Sequence, residues 1–231
     1  MLQIFLLCGL MILMASKPTN LTELRKTMKS GKEVKIVCYG DSITYGFEDV
    51  KNAPYHPYPQ TLEDLLIKKY KNKNILVVNE GHGGWRSDHA VSKVTELVLN
   101  QKPDVVLLDF GINDAYSDFT EAYFKKKMTE LVKTVKKDGA LVIILSPTPI
   151  NTHKSNMVKA YIPVLEAIAK EQKVLYFDLH SAILKRAIKE KKKLSDILPD
   201  NIHFSNEYYP WLAEEIFKFL IKWEYLKIEN I

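Results

Sequence analysis

The sequence predicts an α/β fold, a three-layer α/β/α sandwich built on a parallel sheet. Two observations carry that expectation. Five short apolar runs, rich in β-branched residues, recur at 34–39, 75–78, 105–110, 140–145 and 174–177, and each stops at Gly, Asn, Ser or Asp, as strands do that end in turns. Between them lie longer stretches with apolar residues at helical spacing. Strands that alternate with helices pair in parallel and need cover on both faces.

In chain order, residues 2–15 are almost wholly apolar and uncharged. A membrane span needs about 20 residues, so no stable span is expected. The stretch fits the apolar part of a secretory signal peptide, although no Lys or Arg precedes it and Ala15-Ser16 makes a poor cleavage site. Export or a cell-envelope location is the expectation; an uncleaved anchor or a cytoplasmic chain is the alternative. Residues 1–16 are therefore set apart, and 17–231 are read as a single domain.

Residues 19–30 form an amphipathic helix capped by Thr19 or Asn20 and stopped by Gly31. After the first strand, 46–59 is a loop with Pro54, Pro57 and Pro59 among Tyr45, Tyr55, His56 and Tyr58. It walls a pocket or packs on the surface. Helices follow at 61–70, 87–99 and 120–137. A helical pattern at 155–172 contains Pro163, which predicts a kink or two helices. Residues 181–191 are helical, a polar loop carries Asp200-Asn201-Ile202-His203, and 206–223 is the last helix. Right-handed crossovers leave few topologies, and the one expected is a flavodoxin-like five-stranded sheet in the order 2-1-3-4-5.

Composition excludes several classes. With 46% apolar and 26% charged residues the chain is an ordinary globular protein. Its net charge of +5 comes from dispersed lysines. The runs Lys125-Lys126-Lys127 and Lys191-Lys192-Lys193 read as solvated helix faces, with no nucleic-acid signature beside them. Of the two cysteines, Cys38 lies in the first strand as a buried apolar residue and Cys8 in the N-terminal stretch. They do not define the compartment, and no zinc spacing occurs. The oligomeric state is not encoded in any recognisable pattern.

The chemistry gathers at the strand ends. The first strand closes with Gly40-Asp41-Ser42, Gly40 allowing a sharp turn. The second closes with Asn79-Glu80-Gly81-His82-Gly83-Gly84, the third with Gly111-Ile112-Asn113-Asp114, and the polar loop after the fifth supplies Asp200 and His203. In this topology all face one crevice. They are a hydroxyl, a base, a carboxylate and hydrogen-bond donors, which is what acyl transfer needs. Taken singly, each has a plainer reading: Ser42 as a helix cap, Asp200 as a cap beside a surface His203, Gly83-Gly84 as a tight turn, Asn113 as a turn cap.

These four blocks, in this order from residue 34 to the C-terminus, resemble those of the SGNH (GDSL) hydrolases. The resemblance implies a serine esterase working through an acyl-enzyme with no metal or cofactor. By it Ser42 is the nucleophile, His203 the general base, and Asp200 the carboxylate that fixes the imidazole. The backbone N–H groups of Ser42 and Gly84 and the side chain of Asn113 hold the oxyanion. Gly84 is taken from the family's spacing after Asn79, with Gly81 and Gly83 as the other candidates. Asp41 and Asp114 read as turn-stabilising. The chain departs from the family with Ile43-Thr44 in place of Leu, Trp85-Arg86 in place of Asp-Thr, and Phe204 in place of Pro; none is a catalytic group. No Gly-x-Ser-x-Gly occurs. The expected substrate is a small ester or an acetylated glycan. A thioesterase or lysophospholipase is the alternative, and a non-catalytic carbohydrate-binding protein on the same fold is the alternative of another class.

Overall fold

The computed structural model describes residues 17–46 and 57–222. The apolar stretch 2–15 with Cys8, the part of the aromatic loop holding Pro54, Tyr55 and His56, and the end of the last expected helix at Trp223 lie outside the described residues. Five parallel strands form one sheet in the order β2-β1-β3-β4-β5, as the alternating pattern requires. They are β1 (Val34–Gly40), β2 (Ile75–Gly81), β3 (Val105–Asp109), β4 (Leu141–Leu145) and β5 (Leu175–Phe177).

Ten α-helices connect and cover the strands among the described residues: α1 (Leu21–Lys29), α2 (Ser42–Tyr45), α3 (Tyr58–Tyr70), α4 (Ser87–Leu97), α5 (Ile112–Tyr116), α6 (Glu121–Lys137), α7 (Ser155–Gln172), α8 (Leu179–Lys189), α9 (Leu194–Ile197) and α10 (Tyr209–Lys222). Helices α1, α3, α8 and α10 pack as one layer, and α4, α6 and α7 as the other. β3 and β4 are buried throughout, since both faces are covered. At the edge, β2 buries Ile75 and Val77 and leaves Leu76 exposed. Phe124 of α6 stacks on Tyr161 of α7 with ring centroids 4.1 Å apart.

The differences from the sequence reading are local. Asn20 caps α1 by accepting from the Glu23 N–H. α3 begins at Tyr58, because a proline in the first turn forfeits a hydrogen bond that a helix start never makes. β2 runs on through Asn79-Glu80-Gly81, paired with Cys38-Tyr39-Gly40 of β1. α7 is one helix, not two: Pro163 is exposed, so the carbonyl it leaves without a partner can bond water. Gly40 makes no sharp turn. It is the last strand residue, and a Cβ there would lie 2.1 Å from Thr44 Oγ1. The glycine is required for close packing.

The ends of the sheet differ. At the edge where the strands begin, Lys71, Lys102 and Lys173 close helical segments in the left-handed backbone region, at φ 52, 54 and 53. Lys17 enters the fold at the same edge, 2.8 Å from Asp138 Oδ2 in the turn before β4. At the opposite edge Gly40 lies between Gly81 of β2 and Asp109 of β3. There the chain turns one way into β2 and the other into β3, which opens a crevice.

Candidate active site

Ser42 is the first residue of α2, carried directly beyond the end of β1. Asp41, not Ser42, caps this short helix: its Oδ1 accepts from the Ile43 N–H at 2.9 Å. The Ser42 hydroxyl is therefore left for other partners. Its Oγ lies 2.8 Å from Nε2 of His203. Nδ1 of the same ring lies 2.6 Å from Oδ2 of Asp200. The other Asp200 oxygen accepts the N–H groups of Ile202 and His203, at 2.9 and 2.7 Å. Burial pushes the Asp200 carboxyl up, but the His203 ring and these two backbone donors outweigh it and hold the group below the usual 3.8. With Asp200 ionised, Nδ1 carries the imidazole proton and Nε2 can accept one from Ser42.

Asp200 and His203 share one turn in which Asn201 takes a left-handed φ of 71. That turn is braced from the loop after β4. The Asn151 N–H donates to the Asn201 carbonyl at 2.8 Å, and the Asn151 side chain to Asn201 Oδ1 at 3.0 Å. No periodicity or motif in the sequence singles out Asn151.

The Gly-rich turn sorts its glycines by what each can offer. The Gly81 N–H is spent on Asn79 Oδ1 at 2.9 Å, and a Cβ at Gly81 would strike the backbone of Tyr45. His82 N–H is spent on the Gly40 carbonyl and Trp85 N–H on the His82 carbonyl. Gly83 and Gly84 face open space, and Gly84 has φ +76, a conformation that favours glycine. Asn113 stands across the crevice on α5. Its Nδ2 donates one hydrogen to the Trp85 carbonyl at 3.0 Å, leaving the second to point elsewhere. It caps no turn.

Asp114 joins the same two loops. Buried completely, it accepts from the Ser87 N–H at 3.0 Å and from Ser87 Oγ at 2.5 Å. Burial raises its pKa to about 6 against those donors. The turn it stabilises is thus the neighbouring one. Asp109 is also buried, and burial raises it to about 7, opposed only by a 3.4 Å contact from Thr44 Oγ1. Asp41 is pushed up too, by burial first and then by the charge of Asp109.

The rim is aromatic. Trp85 stacks on His82 at 4.1 Å and meets Tyr39 edge-on. Arg86 lies 5.4 Å from the centre of the Phe119 ring and binds Asp88 at 3.1 Å, so its charge is largely answered within the wall. Tyr45 and Tyr116 are among the exposed large side chains, and each stands three residues beyond a crevice residue, Ser42 and Asn113. Residues three apart share a helix face. Among the described residues no group of three or more His, Cys, Asp and Glu is placed to hold a metal ion. No helix there is long and apolar enough to cross a membrane.

A family model for the GDSL-like lipase/acylhydrolase family matches residues 38–210. The chain belongs to that family. Among relatives, an arylesterase of Vibrio mimicus is 22% identical over 189 residues, covering 81% of this chain and 88% of the relative. An acetylxylan esterase of Geobacillus stearothermophilus is 27% identical over 178 residues, 67% of this chain and 80% of the other. A Bacillus subtilis protein named as an uncharacterized lipoprotein is 28% identical over 123 residues, 50% of this chain and 49% of that one. Of solved structures, the Geobacillus stearothermophilus acetylxylan esterase superposes with a TM-score of 0.70 at 23% identity, over 81% of this chain and 94% of the other. The Enterococcus faecalis lipase/acylhydrolase gives 0.67 at 24% identity, over 81% and 95%. These two establish the same sandwich fold. Family membership and the esterase relatives make this GDSL-family chain a carboxylic ester hydrolase.

Proposed function

We propose that the chain is a serine esterase that removes an acetyl group from a carbohydrate through an acyl-enzyme. The carrying observation is the relay from Ser42 Oγ to His203 at 2.8 Å and on to Asp200 at 2.6 Å. In this reading His203 takes the Ser42 proton as Oγ attacks the ester carbonyl. Asp200 holds the ring and stabilises the imidazolium. The N–H groups of Ser42 and Gly84 and the second Nδ2 hydrogen of Asn113 receive the oxyanion. His203 then passes its proton to the leaving alcohol, and water, activated by the same imidazole, releases the acid.

The acetyl and carbohydrate parts draw support from the acetylxylan esterase among the relatives. They draw support also from the exposed faces of Tyr45 and Tyr116 beside the crevice, which suit the apolar faces of sugar rings. Export to the cell envelope fits the apolar stretch 2–15 and the lipoprotein name of one relative. Two measurements test the reading. A fluorophosphonate probe should label wild type and not Ser42→Ala. Hydrolysis of p-nitrophenyl esters should fall as the acyl chain grows beyond acetyl, with acetate released from acetylated oligosaccharides. Rates that rise with chain length, and no acetate from the glycan, would replace this substrate by a fatty acyl ester. Equal p-nitrophenyl acetate hydrolysis by wild type and Ser42→Ala would remove the serine mechanism.

A further inference from the structure

We propose that the amino edge of the sheet is a docking face for an anionic lipid bilayer. Because the strands are parallel, all begin at one edge, and the turns that feed them lie side by side. Each turn carries an exposed lysine: Lys32 before β1, Lys71 and Lys73 before β2, Lys102 before β3, Lys137 before β4 and Lys173 before β5. Lys26, Lys29 and Lys69 extend the charge over the last turns of α1 and α3, around a recess of about 530 Å³. The acids in these turns are mostly engaged. Asp138 is paired with Lys17, and Glu96 and Glu171, in the last turns of α4 and α7, with Lys93 and Lys125; Asp104 accepts the Lys35 backbone N–H at 2.8 Å, which offsets no charge, and Glu33 remains. A helix C-terminus favours one nearby cation. That preference does not call for Lys73, two residues beyond the α3 cap at Lys71.

The path of the chain gives a second, independent reason. Lys17 Nζ is held by both the carboxylate and the carbonyl of Asp138, so the chain enters the fold at this edge. The uncharged apolar stretch ends at Ala15, two residues earlier, which is at most about 7 Å of extended chain. Where the stretch is kept as the uncleaved anchor, an apolar segment and a basic surface are the two attachments that together make peripheral membrane binding stable. The carboxyl edge has the opposite character. Its loops carry no such row of lysines: Asp118, Asp178 and Asp200 stand there against Arg86 and Lys154, so an anionic surface prefers the amino edge, which orients the molecule. Seven residues of β1 separate the two edges, about 20 Å at the usual strand rise. Ser42 then opens away from the lipid, toward substrates in solution. This inference does not depend on the proposed ester chemistry.

The test is sedimentation of the full chain with vesicles of phosphatidylglycerol and phosphatidylcholine, compared with phosphatidylcholine alone, at low and physiological salt. The amino-edge variant is Lys32→Glu with Lys73→Glu and Lys137→Glu. A control, Lys126→Glu with Lys159→Glu and Lys185→Glu, makes the same change in net charge on exposed flanks of α6, α7 and α8. Wild type and control should bind the anionic vesicles in a salt-sensitive way. The amino-edge variant should bind at least about 100-fold more weakly, at about fivefold per lysine near an anionic surface. All three should hydrolyse p-nitrophenyl acetate equally in solution. Equal losses in the two variants, equal wild-type binding to phosphatidylcholine alone, or binding to RNA with none to vesicles would each overturn the proposal.

Discussion

At the carboxyl edge of the sheet Asp41, Asp109 and Asp114 are buried, and burial raises the pKa of each. At the amino edge Lys32, Lys71, Lys73, Lys102, Lys137 and Lys173 stand in water. The first arrangement costs stability, because a buried carboxyl must either stay protonated or find donors. The second costs little beyond three left-handed lysines. A fold keeps unfavourable groups where they serve a site and leaves the rest of its surface relaxed. Asp41 caps the helix that presents Ser42, and Asp114 ties the Gly-rich turn to α5. Both carry out positioning work that a solvated side chain could not.

Substitutions along the carboxyl edge can break or sharpen this contrast. The largest effect expected is for Ser42→Ala, with kcat down about 10⁵–10⁶ on p-nitrophenyl acetate. Asp200→Asn should lower kcat about 10⁴-fold by releasing the imidazole tautomer, with a small change in melting temperature since an amide oxygen can still accept the Ile202 and His203 N–H groups. Asn113→Ala should lower kcat about 10²–10³-fold, the scale of one oxyanion donor; an unchanged kcat would place the oxyanion elsewhere. Ser87→Ala leaves Asp114 without its shortest bond and should cost about 1–3 kcal/mol in urea unfolding. It should also lower kcat about tenfold, and less than additively with Asn113→Ala, since both act on the same pair of loops.

The smallest effect is expected at Asp109, and its sign is opposite. Its folded pKa, about 7, lies above the ordinary 3.8. The protonated carboxyl therefore stabilises the fold fully below pH 3.8, and that contribution is lost as pH rises through about 7. Asp109→Asn should raise the melting temperature at pH 8 by about 2–8 °C, the scale of 1–2 kcal/mol in a chain this long. At pH 4 the change should be near zero. A lower melting temperature at pH 8 would mean that the ionised carboxylate is held by something stronger than the 3.4 Å contact with Thr44.

The sheet was readable from the sequence because strand runs and helical periods are repeated signals, and the crossover rules then leave few orders, among them the observed 2-1-3-4-5. The short helices α2, α5 and α9 were not, since four or five residues cannot display a helical period. Ser42 and Asn113 stand out because each follows a strand in a recognisable block, and Asp200 and His203 because they share one polar loop. The contacts that hold them do not. Asn151 meets Asn201 across 50 residues and Ser87 meets Asp114 across 27, and pairings at such separations leave no local pattern. In the sequence, the family's spacing alone points to Gly84. What distinguishes it from Gly81 is the Asn79 side chain, which takes the Gly81 N–H, and only coordinates reveal that.

The turn at 117–120 is exposed at most of its positions and separates β3 from β4. Before it lie Ser42, Gly84 and Asn113; after it come Asp200 and His203. A chain cut in this turn would yield two halves, neither holding the whole proposed relay, that meet through the β3–β4 pairing and through helix packing such as α10 on α3 and α6 on α4. On the proposed relay, recovered ester hydrolysis would then report their reassembly.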